Sequence, residues 1–120
     1  VGTSTTINIA DYQNVYLDGQ NNPNSKFLFQ VDTTMLTGTG CNIVLINGAQ
    51  AKNVVWALGT TLTTGVDTDF QGSIMAGEAI TIGAGTIVHG SVIAGTAITF
   101  GTGCQVHDGC VIALSVITFG

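Results

Sequence analysis

Apolar and polar residues alternate along this chain with the period of a strand, in short runs that restart about every 18 residues. Gly77-Glu78-Ala79-Ile80-Thr81-Ile82-Gly83 and Gly95-Thr96-Ala97-Ile98-Thr99-Phe100-Gly101 share one pattern, with a large aliphatic residue and a threonine between two glycines. Gly59 to Gly65 and Leu114 to Gly120 repeat it, and Ser4 to Ala10 and Asp32 to Gly38 are looser copies. Coil starts near 4, 32, 59, 77, 95 and 114 follow, and none of these segments carries a helical period. A unit this short buries its apolar side only when neighbours stack on it. The pattern therefore predicts an all-β solenoid of triangular section with about six coils, one single β-helix domain over 1–120.

Strand alternation sorts inside from outside. Ile80 and Ile82, Ile98 and Phe100, and Ile117 and Phe119 are expected in the core. Thr6, Asn8, Thr34, Thr61, Thr63, Thr81, Thr99 and Thr118 then point outward. Thr5, Thr33, Thr60, Thr96 and Ser115 fall at the edge of that face, beside a corner. A second strand precedes each motif, with Phe29 and Val31, Trp56 and Leu58, Ile74 and Ala76, Val92 and Ala94, and Val111 and Ala113 inward. Its outward positions are Leu28, Val55, Ala57, Met75, Ile93 and Ile112, an apolar stripe that calls for a cover. A third strand is expected over 68–71, 86–89 and 104–107, with Phe70, Val88 and Val106 inward. Gly65, Gly72, Gly83, Gly90, Gly101 and Gly109 mark corners. Residues 11–25 and 41–52 read as insertions in the first two coils.

Composition narrows the function. Lys26 and Lys52 are the only basic residues against seven acidic ones, a net charge of -5, which excludes the basic footprint of a nucleic-acid binder. Charged residues make up only 8% of the chain, so its wetted surface is built from Thr, Ser, Asn, Gly and Ala and suits a neutral partner. The apolar runs are too short to span a bilayer. A start at Val1 reads as a processed chain or a fragment of a longer domain.

The run Asn47-Gly48-Ala49-Gln50-Ala51-Lys52-Asn53-Val54-Val55-Trp56, with Asp69-Phe70-Gln71-Gly72-Ser73-Ile74-Met75-Ala76 and Thr96-Ala97-Ile98-Thr99, closely resembles the DUF3494 ice-binding proteins. The resemblance covers about Ile7 to Phe119. It implies a right-handed discontinuous β-helix, secretion to the extracellular space, and adsorption to an ice crystal surface through one flat threonine face. The family's Thr-Ala/Gly-x-Thr/Asn pattern is met in full by Thr96-Ala97-Ile98-Thr99 and in part by Thr60 to Thr63 and Thr5 to Asn8, whereas Leu36, Glu78 and Val116 interrupt it. The resemblance also implies an N-terminal half with a long helix. This chain matches only the C-terminal half, and the apolar stripe is where that helix, or another chain, would dock.

No catalytic residue, metal or cofactor is expected. Asp67 and Asp69 have the look of a carboxylate pair but read as a solvated turn. His89 and His107 occupy equivalent outward positions on neighbouring coils and read as a solvated pair with no third ligand. The stretch from Ile80 to Ile93 has the hexapeptide look of left-handed β-helix acyltransferases, a register that the first two coils break. Cys41 and Cys104 are expected inward as free thiols and Cys110 outward, and a Cys104–Cys110 bridge would require one of these facings to reverse. A second reading of the whole chain is a structural subunit of an extracellular filament, made by end-to-end stacking of coils.

Overall fold

The computed structural model describes residues 2–107 and 109–120, and side chains from residue 7 onward except that of residue 108. Among the described residues, strand alternation produces fifteen strands and one turn of 3-10 helix, Ala51–Asn53. In chain order they are β1 Gly2–Ile9, β2 Asn14–Asp18, β3 Phe27–Thr37, β4 Asn42–Ile46, β5 Val54–Leu58, β6 Thr61–Thr64, β7 Asp69–Gln71 and β8 Ser73–Ala76. They continue as β9 Ala79–Ile82, β10 Ile87–His89, β11 Val92–Ala94, β12 Ala97–Phe100, β13 Gln105–His107, β14 Val111–Ala113 and β15 Val116–Phe119.

Every pairing is parallel, and coils stack in chain order. One sheet runs β14-β11-β8-β5-β3-β6-β9-β12-β15, with β1 also on β3, and the other runs β13-β10-β7-β4-β2. The first sheet is really two faces joined through β3. Its first half pairs with β5, and its second half pairs with β6. Three faces result, and the triangular β-helix measures 39 × 26 × 26 Å.

The core is the stack of inward side chains. Met35, Leu62, Ile80 and Ile98 form one buried row of the threonine motif, and Trp56, Ile74 and Val92 form a row of the strand before it. Phe29 stacks on Trp56 at 4.1 Å, and Phe70 tilts against it at 5.2 Å. The indole Nε1 donates to the Gln71 carbonyl at 2.9 Å, so the largest core residue is also satisfied. Another inward row is mixed: Thr37 and Thr64 are buried in line with Ile82 and Phe100. Ile117 and Phe119 continue these rows in β15, where Phe119 stacks on Phe100 at 5.1 Å yet is 71% exposed, because no described rung lies beyond it.

Residues 11–25 and 41–52, which read as insertions, each carry a strand of the third face. β2 and β4 pair over five residues, Asn14↔Asn42 to Asp18↔Ile46. The extra length goes into these longer strands and the turns after them, which are themselves laddered. Gly19 N–H donates to the Ile46 carbonyl, and the Gln50 and Asn53 amides donate to the Pro23 carbonyl. Asp18 accepts from the Asn47 side chain and the Gln20 N–H, which together hold its carboxyl below its ordinary value.

At the corner between the third and first faces, Gly90 has φ +142, and a Cβ there would sit 2.5 Å from the Gly72 carbonyl oxygen. Only glycine permits rungs this close at a sharp corner.

A column of inward donors runs up another corner. Cys41, Thr68, Thr86 and Cys104 occupy successive rungs, each donating to a carbonyl one coil back: Cys41 to Ala10 at 3.0 Å, Thr68 to Gly38 at 3.3 Å, Thr86 to Gly65 at 3.1 Å and Cys104 to Gly83 at 3.0 Å. All three cysteines are free thiols. Cys104 points into this column while Cys110 is exposed, so the facings expected for both are found and no Cys104–Cys110 bridge forms.

Candidate functional site

The second face displays three columns of outward side chains, each repeating at the rung spacing of about 4.8 Å. The column nearest the corner is Thr33, Thr60, Glu78, Thr96 and Ser115, set by the ladder bonds Thr60→Thr33, Glu78→Thr60, Thr96→Glu78 and Ser115→Thr96. The middle column begins with the Thr6 backbone beside Thr34 and Thr61, and it continues as Ala79, Ala97 and Val116. The outer column is Asn8, Leu36, Thr63, Thr81, Thr99 and Thr118. The side chains of Thr5 and Thr6 lie outside the described residues. Every other threonine expected on this face is brought into one of these columns.

The three columns differ in how their hydroxyls are held. Thr60 Oγ1 donates to the Thr33 carbonyl and Thr96 Oγ1 to the Glu78 carbonyl, both at 2.7 Å. Those protons are spent on the backbone, which fixes each rotamer and leaves each oxygen only as an acceptor. Thr34 Oγ1 bridges to Thr60 and Thr61 at 3.2 and 3.3 Å. Thr63, Thr81, Thr99 and Thr118 are exposed, with hydroxyls that bond to no described protein group. In the fourth and fifth coils, Ala79 and Ala97 lower the middle of the face between threonine columns. The result is a shallow trough floored by methyls, with Thr81 and Thr99 on one side and Glu78 and Thr96 on the other. The alanines were legible as positions offset from Thr61 by whole repeats, but their part in the surface needs the register.

The first face presents a different surface. Its apolar residues form two columns: Leu28, Val55 and Ser73 in one, and Gln30, Ala57, Met75, Ile93 and Ile112 in the other. Ala57, Met75, Ile93 and Ile112 of the second column line a groove of about 460 Å³ with Leu58, Ala76, Gly77, Ala94, Gly95 and Leu114. Leu28 and Val55 line a separate groove of about 580 Å³ with Lys26, Phe27, Lys52 and Asn53. The stripe is therefore two patches.

On the third face, Asp67 sits in a turn at φ +54 while Asp69 lies on β7, so the two are not a facing pair. Among the described residues no group of three His, Cys, Asp or Glu gathers to hold a metal ion. No helix of the described residues is long and apolar enough to cross a membrane.

A sequence model of the family described as ice-binding-like matches residues 2–104. The chain is 43% identical over 61 residues to ice-binding protein 1 of Shewanella frigidimarina and 40% identical over 60 residues to an ice-binding protein of a Nostoc species. Each match takes in 50% of this chain, but only 7% and 22% of those relatives' own lengths. Among solved structures, the ice-binding protein of the Antarctic ascomycete Antarctomyces psychrotrophicus superposes with a TM-score of 0.72 at 25% identity, over 91% of this chain and 59% of that one. The DUF3494 domain of the Shewanella protein superposes with a TM-score of 0.55 at 25% identity, over 96% and 47% respectively. The chain thus spans about half the length of the solved relatives it matches.

Proposed function

We propose that this chain, which belongs to the ice-binding-like family, adsorbs to ice through the hydroxyl face, as an extracellular, non-enzymatic surface binder that slows ice growth or recrystallisation. The observation that carries this reading is the in-register outer column Thr63, Thr81, Thr99 and Thr118, flanked by the alanine trough. Ice offers neither charge nor pocket, only a lattice of oxygens. A flat array of hydroxyls and methyls on parallel rungs holds ordered water that can merge with such a lattice. Rotamers already fixed, as at Thr60 and Thr96, have little entropy left to lose on adsorption. Leu36, Glu78 and Val116 break the columns, one in each, and limit the contact to the patch between them. The apolar patches of the first face are assigned to a docking helix or partner chain, outside the ice contact.

The test is thermal hysteresis and ice-recrystallisation inhibition by the folded chain and its Thr63→Tyr and Thr99→Tyr variants. Loss of most activity in each variant is expected, at unchanged stability. An active chain that both substitutions leave fully active would move the ice contact to another face. An inactive chain that forms filaments in electron micrographs would favour the stacked-subunit reading instead.

A further inference from the structure

Two histidines are used by neither the core nor the hydroxyl face. His89 and His107 are register partners on β10 and β13, and their rings stack with centroids 5.3 Å apart and planes 21° from parallel. Each ring turns its Nε2 toward an oxygen. Asp69 Oδ1 lies 3.7 Å from His89 Nε2, and Gln105 Oε1 lies 2.9 Å from His107 Nε2. Asp69 is itself held by the Gln71 amide at 3.2 Å. In the tautomer that carries hydrogen on Nε2, each ring keeps its Nδ1 lone pair, and no described protein group takes either. A ring nitrogen oriented by a carboxylate or carbonyl oxygen, with the opposite nitrogen free, is the arrangement that metal-ligating histidines adopt.

We propose that His89 and His107 form a surface site for a divalent cation of the zinc, nickel or copper class. The two imidazoles supply the ligands, Gln105 orients His107 through its hydrogen bond, the Asp69 carboxylate lies beside His89, and water completes the shell. Imidazole prefers these late first-row ions over calcium, magnesium or manganese. Tetrahedral zinc with Zn–N bonds of about 2.0–2.1 Å places its two nitrogens about 3.4 Å apart. Stacked rings one rung apart reach that distance by tilting toward each other. Both lie at the surface, His107 exposed and the His89 side chain one-third exposed, and the core does not clamp either ring. The chain's net charge of -5 raises the local concentration of cations. Lys52, which lines a cleft with His89, works against this and argues for a site of modest strength.

The measurement is a titration of the chain with ZnCl₂ and NiCl₂, made in a Cys110→Ser background because that exposed thiol would compete. It is followed by calorimetry and by the ring resonances of both histidines. One equivalent is expected to bind, with both rings shifting together and calcium and manganese giving no response. His89→Ala or His107→Ala is expected to weaken binding at least about tenfold. Asp69→Asn is expected to weaken it by less, and circular dichroism should show the coil intact in each variant. The proposal fails if neither ring responds to zinc at about 1 mM, a far weaker affinity than a two-imidazole site implies. It fails equally if the His89→Ala/His107→Ala double variant binds as tightly as its parent.

Discussion

The first face and the hydroxyl face are cut from one continuous sheet and are joined through the long strands β1 and β3, yet they meet water in opposite ways. Inward, both carry the same kind of large aliphatic and aromatic side chains. Outward, the hydroxyl face alternates threonine with alanine, while the first face sets Ala57, Met75, Ile93 and Ile112 in a line. Met75 and Ile112 are about half exposed, at 47% and 51%. The parallel ladder is indifferent to what its outer row carries. That row therefore distinguishes the two faces: hydroxyls and methyls on one side and a line of apolar side chains on the other.

The heaviest blow to the comparison removes the scaffold that both faces share. Trp56→Ala deletes the centre of the aromatic stack and leaves the Gln71 carbonyl without its donor. A loss of about 3–5 kcal/mol is expected in urea unfolding, with both faces lost together. Next, the same bulky residue placed on each face separates them. Thr81→Tyr is expected to remove most of the thermal hysteresis, whereas Ile93→Tyr leaves it intact, and both stay within about 0.5 kcal/mol of the parent because the sites are at the surface. Equal losses from both would erase the distinction. A smaller change sharpens it: Glu78→Thr puts a hydroxyl in the corner column and removes a charge from the proposed ice contact. Hysteresis is expected to rise modestly, and an unchanged or lower value would show that the corner column takes no part.

The smallest expected effect lies away from both faces. Because the Asp18 carboxyl is held below its ordinary value of 3.8, chiefly by the Asn47 amide, its contribution to stability is present above that value and is lost as the pH falls through the lower, folded one. Asn47→Ala should flatten the acid limb of the unfolding profile below pH 3.8 and leave hysteresis unchanged.

Most of the architecture was legible in the repeat. A period of two on rungs of fixed length puts Ile80 and Ile98 inside and Thr81 and Thr99 outside without further information. The strands β2 and β4 escaped because the first two coils are longer than the 18-residue repeat, so Asn14 to Asp18 read as part of an insertion. The apolar stripe was read from outward facing alone. Register then separated Val55, which sits beside Leu28 and Ser73, from Ala57, which sits beside Met75. The buried donors Thr68 and Thr86 run against the usual surface preference of threonine, and only the corner carbonyls they reach explain them. The histidine pair was visible as a repeat of type and position. What the sequence did not carry was the oxygen facing each Nε2.

The column of Cys41, Thr68, Thr86 and Cys104 has a mechanical consequence. Each side chain ties its own coil to the one before, inside the rod and at a single corner, so the four act as stays along one edge of a stack of rings. Prising neighbouring coils apart must break a stay together with the backbone ladder beside it, which leaves that edge without a soft hinge. Bending should therefore open the rod first where no side chain ties neighbouring coils. At the Cys104 rung the stay is a thiol, so alkylating that sulfur would cut one tie and leave every backbone bond in place.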